Sequence, residues 1–142
     1  SLKGIGDESQ TVIMERTGGP EEVFTYGHYL RIYIRQTKAR GGIPIVLSPT
    51  PNNIWNGTSM ARNETYGKWA KEVALQEGAY FIDMNDLIAK KYETYGPQKA
   101  KDFFMDSVHT SREAAILNCE ALIEGIRSIP ELTLNQYIKS KL

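Results

Sequence analysis

Asp106 and His109 are the residues whose types and spacing could do chemistry together, in the stretch Asp106-Ser-Val-His109. An imidazole serves as a base when it is held in one tautomer, one ring nitrogen facing the reaction and the other bound to a carboxylate. A short loop can supply both members of such a pair, and a helix entered directly after the histidine fixes its position. The plainer reading is of loop residues near a helix start, since Asp-x-x-His arises often by chance.

A second candidate is Thr50-Pro-Asn-Asn-Ile-Trp55. Asn52 and Asn53 could pair with sugar hydroxyls, and the indole of Trp55 could cover an apolar sugar face. The alternative is a proline-stiffened turn with a packed tryptophan. His28 falls within a helical stretch and reads as a packing or surface residue. With 2 histidines and no clustered carboxylates, the sequence makes no case for zinc or any other metal, and no cofactor motif is present. Cys119 is the only cysteine, which excludes an intrachain disulfide. Its helical spacing places it in the core. Asn56-Gly-Thr58 and Asn63-Glu-Thr65 match the glycosylation sequon, as do many exposed loops.

The elements that must position these residues follow from periodicity and breakers. Ser1 to Pro20 is rich in glycine, charge and short polar side chains and reads as loop. A helix is expected from Glu21 to Ala39, with Pro20 in its first turn, Glu21 and Glu22 at the positive end of its dipole, and Gly41-Gly42 as its stop. Tyr26, Leu30, Tyr33 and Thr37 mark one face. Ile43 to Ser48 is a short branched apolar run, as buried parallel strands are, with Pro44 near its start. The Asn52–Trp55 loop then lies at a strand's carboxyl end, where open α/β sheets bind ligands. A helix over 64–77, a strand over Tyr80–Asp83, a helix from Asp86 (a candidate cap) to Tyr95 and a further piece over 98–104 follow.

Thr110 and Glu113 form a capping box for the closing helix, whose inner face is expected to carry Ala115, Cys119, Leu122, Ile123 and Ile126. Pro130 ends it, and Leu132 to Lys141 reads as a last amphipathic piece.

This alternation is that of an α/β layered fold. Only two strands are convincing, and two parallel strands alone would leave faces and edges uncovered. The chain of 142 residues therefore reads as part of a larger sheet. Ser1, standing where a methionine is expected, suggests a start within a longer polypeptide. Lysine plus arginine and aspartate plus glutamate number 17 each, for zero formal charge. That argues against a nucleic-acid binder, which needs a basic excess to displace counterions, and gives no polybasic handle for a membrane. No stretch has the length and apolarity of a membrane span or resembles a signal peptide.

Four stretches, in this order and spacing, carry a specific resemblance: Tyr26-Gly-His-Tyr-Leu-Arg-Ile-Tyr-Ile-Arg35, Pro44-Ile-Val-Leu-Ser-Pro-Thr-Pro-Asn-Asn-Ile-Trp55, Tyr66-Gly-Lys-Trp-Ala70 and Asp106-Ser-Val-His-Thr-Ser111. From Gly4 through Ile126 the chain resembles the latter half of rhamnogalacturonan acetylesterase-like proteins of the SGNH (GDSL-like) hydrolases. The resemblance implies a partial flavodoxin-like three-layer α/β/α sandwich of parallel strands and helices, here the C-terminal part of one domain lacking its N-terminal strands. It implies removal of acetyl groups from pectic polysaccharide by a Ser–His–Asp mechanism, with His109 as general base and Asp106 as its orienting carboxylate. Asn52, Asn53 and Trp55 are the expected substrate contacts, and an acetylated polysaccharide or oligosaccharide the expected partner. A secreted or periplasmic location follows from the same resemblance.

The family's Gly-Asp-Ser serine, oxyanion-hole glycine and Gly-His-Asn-Asp asparagine have no counterpart here. Gly6-Asp-Glu-Ser9 is superficially similar to the first, but it follows no apolar strand and carries an inserted glutamate, so Ser9 reads as a loop residue. The family often shows Asp-His-Thr-His where this chain has Asp106-Ser-Val-His109, and an arginine where Asn52 or Asn53 stands. The first departure keeps the dyad, and the second bears on polymer specificity. Two other readings remain at this level, a non-catalytic carbohydrate-binding module and a fragment that self-associates over its exposed sheet edge.

Overall fold

The computed structural model describes residues 1–139. The chain forms two compact units, Ser1–Val46 with Lys68–Phe81, and Leu47–Gly67 with Ile82 onward.

The first unit opens on a hairpin where the sequence reads as loop. Strands β1 (Ser9–Ile13) and β2 (Pro20–Phe24) pair antiparallel from Ser9 opposite Phe24 to Ile13 opposite Pro20. Thr11-Val-Ile13 supplies the branched residues that favour a pleated strand. The reversal is closed by Gly18 N–H on the Met14 carbonyl at 2.7 Å, with Gly18 at φ 66°. Short branched runs among polar residues carry a weak strand signal until the partner strand is present. Ser9 accordingly lies on β1, its hydroxyl donating to Glu22 at 2.6 Å.

Helix α1 (Tyr26–Ala39) starts five residues later than expected, because Pro20–Phe24 is strand. Its cap is Thr25, whose hydroxyl oxygen accepts from His28 N–H at 3.1 Å. Gly27 is required here: a Cβ would lie 2.5 Å from the Ile5 backbone, which passes directly over the helix. The expected stop holds, with Gly41 at φ 77° and Gly42 N–H on the Thr37 carbonyl at 3.0 Å. The inner face is carried by Leu30 and Ile34; Tyr33, expected on that face, is 71% exposed.

Strands β3 (Ile45–Leu47) and β6 (Tyr80–Ile82) pair in parallel, with Tyr80 N–H on the Pro44 carbonyl and Ser48 N–H on that of Ile82. Between them lie a minimal hairpin of β4 (Trp55–Asn56) and β5 (Ser59–Met60), and helix α2 (Tyr66–Gln76). Ile34, Val46, Ala70, Val73 and Ala74 form the core of the first unit. The observed class is the expected one, mixed α/β with parallel strands.

In the second unit, α3 (Met84–Ala100) is capped by Asp83, which accepts from Asp86 N–H at 3.1 Å; Asp86 is therefore not the cap but a first-turn residue. Gly96 at φ 76°, followed by Pro97, breaks α3 where the sequence separates two helical pieces. A 3₁₀ turn over Lys101–Phe103 leads to the Asp106–His109 loop, then α4 (Arg112–Arg127). Tyr92 is fully buried against Phe103 and Phe104, and its hydroxyl donates to Asn118 at 2.7 Å. Burial pushes its phenol up to about 12.

Helix α4 buries Ala114, Ala121, Gly125 and Ile126, so its inner face is turned by about one residue from the expected one. Cys119 is exposed, not core. The reason is close packing: a Cβ on Gly125 would meet Ile82 at 2.3 Å, so small residues, rather than the most apolar stripe, face inward. Pro130 follows the helix as expected, and Leu132 leads into a 3₁₀ turn over Thr133–Tyr137. Ser140 and Lys141, part of the expected last amphipathic piece, lie outside the described residues.

Candidate active site

The Asp106–His109 loop is closed at its neck by backbone hydrogen bonds. Phe104 and Thr110 form an antiparallel bridge, Met105 N–H donates to the His109 carbonyl at 2.8 Å, and Ser111 N–H to that of Phe103 at 2.8 Å. Ser111, rather than Thr110, then caps α4, accepting from Ala114 N–H at 3.3 Å. Thr110 is held in the bridge, which moves the cap one residue along.

Within this loop Asp106 does two jobs at once. Its Oδ1 accepts from Val108 N–H at 2.7 Å and His109 N–H at 2.6 Å, and its Oδ2 lies 2.6 Å from His109 Nδ1. The backbone N–H of His109, then its ring, then Val108 N–H hold the carboxyl at about 2, below the ordinary 3.8. An ionised Asp106 facing Nδ1 fixes the tautomer that carries its proton there, leaving Nε2 for a reacting group. The side chains of His109 and Asp106 are 74% and 54% exposed.

The Pro49–Trp55 loop meets this one through the backbone, Asn53 N–H donating to the Ser107 carbonyl at 3.2 Å. Trp55 Nε1–H donates to Asn53 Oδ1 at 3.0 Å, so the carbonyl of that amide is engaged within the loop. Asn52 is exposed and lines a cavity of about 370 Å³; Asn53, Trp55 and the dyad do not line it. The structure thus joins the two stretches singled out in the sequence and divides the three substrate candidates between a cavity wall and an internal hydrogen bond.

Two further wall residues, Asn85 and Arg62, were not singled out from the sequence. Asn85, buried at the carboxyl end of β6, accepts from Asn63 N–H at 2.9 Å and donates to the Pro49 carbonyl at 2.9 Å. Its place in the first turn of α3, just beyond the carboxyl end of β6, was the available signal. Arg62 is held by Glu93 at 2.7 Å and Asp86 at 3.2 Å, a pairing no local pattern announces. Asn63, the second sequon asparagine, caps α2 by accepting from Tyr66 N–H at 2.9 Å. His28 stacks on Phe24 and sits 3.0 Å from Asp7, a packing role. No group of three or more histidine, cysteine or carboxylate residues fit for a metal occurs among the described residues, and no described helix is long and apolar enough to cross a membrane.

No family model matches the chain. Among curated proteins it is 24% identical over 123 residues to rhamnogalacturonan acetylesterase of Emericella nidulans, covering 85% of this chain and 50% of that one. It is 28% identical over 92 residues to the uncharacterized esterase YxiM of Bacillus subtilis, covering 61% of this chain and 24% of that one. The chain thus spans half or less of the length of these relatives. Among solved structures, that of YxiM superposes with a TM-score of 0.66 at 24% identity, over 73% of this chain and 31% of that one. A catalytic mutant of Axe2, an acetylxylan esterase from Geobacillus stearothermophilus, does so with a TM-score of 0.53 at 19% identity, over 82% and 49%. At these identities the structural likeness speaks for the fold. In sequence the chain is similar to two proteins named as esterases, and in fold it shares the α/β architecture of these solved structures.

Proposed function

We propose that this chain is the base-bearing portion of a carbohydrate esterase that removes acetyl groups from a pectic polysaccharide of the rhamnogalacturonan type, with the nucleophilic serine supplied from outside these residues. The observation that carries the reading is the double hold of Asp106 on His109, through Oδ1 to the backbone and through Oδ2 to Nδ1. A serine hydroxyl attacks the acetyl carbonyl while His109 Nε2 takes its proton, and Asp106 stabilises the imidazolium. The sugar oxygen leaves with that proton. His109 then takes a proton from the water that attacks the acetyl-serine and returns it to the serine oxygen as acetate leaves. Without that serine and oxyanion donors, the dyad alone has nothing to acylate. Asn52 and the Nδ2 of Asn53 face sugar hydroxyls in this reading, and Trp55 stiffens the loop. A polymeric substrate suits a secreted or periplasmic enzyme.

The test is hydrolysis of a chromogenic acetate ester, with fluorophosphonate labelling read by mass spectrometry. This chain alone is expected to be silent and unlabelled, and the polypeptide extended through a Gly-Asp-Ser segment active. His109→Ala in the extended form is expected to lose about 10⁴-fold or more in turnover while still folding. Near-normal turnover of that variant, or a labelled serine within these residues, would overturn the reading.

A further inference from the structure

The cavity beside the dyad loop has a charge arrangement that selects among sugars. Its walls include Thr50, Asn52, Ile54, Glu64, Thr65 and Asn85. At about 370 Å³ it lies near the small end of the roughly 300–1,000 Å³ of small-molecule sites, suited to a short sugar segment. Its frame is built rather than incidental. Asn85 ties the Pro49 carbonyl to Asn63 N–H, and Asn63 caps α2, so the two loops forming the walls are fixed to one buried side chain.

The cation in this wall is Arg62, and it is already engaged. Nη1 and Nη2 lie 2.7 and 3.2 Å from the Glu93 carboxylate, Nε 3.2 Å from Asp86, and Nη1 also donates to the Met60 carbonyl. Asp86 is further paired with Lys90 at 2.6 Å. Glu64 brings a carboxylate to the wall that has no part in the ion pairs found among the described residues. A carboxylated sugar entering here would meet like charge and a guanidinium whose fork is occupied. A neutral sugar would meet hydroxyls, amides and a carboxylate acceptor together with the apolar Ile54, a mixture of polar and apolar groups that suits a sugar ring.

We propose that this cavity is a subsite for a neutral glycosyl unit and discriminates against uronates. Taking a carbohydrate as the ligand rests on the esterase reading above; the cavity's preference for neutral over anionic ligands rests on Arg62 and Glu64. In a polymer that alternates neutral and acidic sugars, such a subsite sets the register of the chain, because only the neutral units fit beside the dyad loop.

The experiment is an NMR titration of this chain with a neutral xylo-oligosaccharide and, separately, with an oligogalacturonate of the same length. The neutral probe is expected to shift the amides of Asn52, Glu64 and Asn85, and the acidic probe to leave them in place. Asn52→Ala, at an exposed position, is expected to weaken the neutral probe about three- to tenfold, the loss of one sugar hydrogen bond. Glu93→Gln is expected to loosen Arg62 and admit the acidic probe. Shifts centred elsewhere, or oligogalacturonate binding at these amides as tightly as the neutral probe, would overturn the proposal. Neutral-sugar binding that persists while the extended polypeptide hydrolyses no acetate ester would sustain the subsite and end the esterase reading.

Discussion

Asp106 both shapes its loop and faces the His109 imidazole with one carboxylate, and the proposed reaction depends on that double role. Its pKa of about 2 lies below the ordinary 3.8, so the folded state binds that proton less readily than the unfolded chain. The stability it contributes is therefore complete above the ordinary value and is lost as pH falls through about 2. A ¹³C-carboxyl titration of Asp106 is expected to show its midpoint near 2, and a midpoint near 3.8 would mean that the loop is not closed as described. Asp106→Asn keeps an acceptor for the two backbone donors but turns an amide N–H toward His109 Nδ1. It is expected to favour the wrong tautomer and, in the extended polypeptide, to lower turnover by about 10⁴-fold. Turnover within tenfold of the parent would show that the carboxylate is dispensable to the base. Asp-x-x-His was legible as a candidate pair from residue types alone. The contact between Asn53 and Ser107, which brings the second motif to it, was not, because it joins backbone groups far apart in sequence.

At the scale of elements, α4 shows how packing overrides pattern. The capping signal was read one residue early, since Ser111 rather than Thr110 accepts from the helix start. Ser111→Ala is expected to cost about 1 kcal/mol in chemical denaturation, with Thr110→Ala costing less by way of the cap. The reverse order would place the cap at Thr110. Gly125 is the sharper test, because a Cβ there would overlap Ile82 and approach Leu87 at 3.2 Å. Gly125→Val is expected to destabilise by about 1–3 kcal/mol or more through overpacking, and a neutral effect would refute the tight packing of α4. The exposed Cys119 follows from the same geometry and should react promptly with a maleimide in the folded chain.

The whole molecule is an α/β chain whose parallel strands, β3 and β6, form a two-stranded sheet among the described residues. Such a pair presents unpaired backbone groups along its outer edges, and Leu47 in β3 and Ile43 just before it are exposed. Light scattering on this chain is expected to give a mass that rises with concentration. A strictly monomeric, cooperatively unfolding chain would show that the edges are tolerated. The relatives and solved structures that match this chain are longer than the part it covers.

The sequence by itself determined the alternation of helices and parallel strands, the breaks at Gly41 and between the two helical pieces at Gly96-Pro97, and the Asp-x-x-His loop ahead of the last helix. These are local matters, written in propensity, periodicity and the residues that cannot continue an element. It did not reveal the β1–β2 hairpin, since its strands are short, exposed and stabilised chiefly by pairing with each other. Nor did it reveal the rotation of α4, which is set by how closely Gly125 lets that helix approach Ile82. Only the tertiary structure decided which residues wall the cavity beside the dyad loop. The engagement of Arg62 by Glu93 and Asp86 depends on side chains 31 and 24 positions away meeting at one point, and pairing at that separation leaves no periodic trace along the chain.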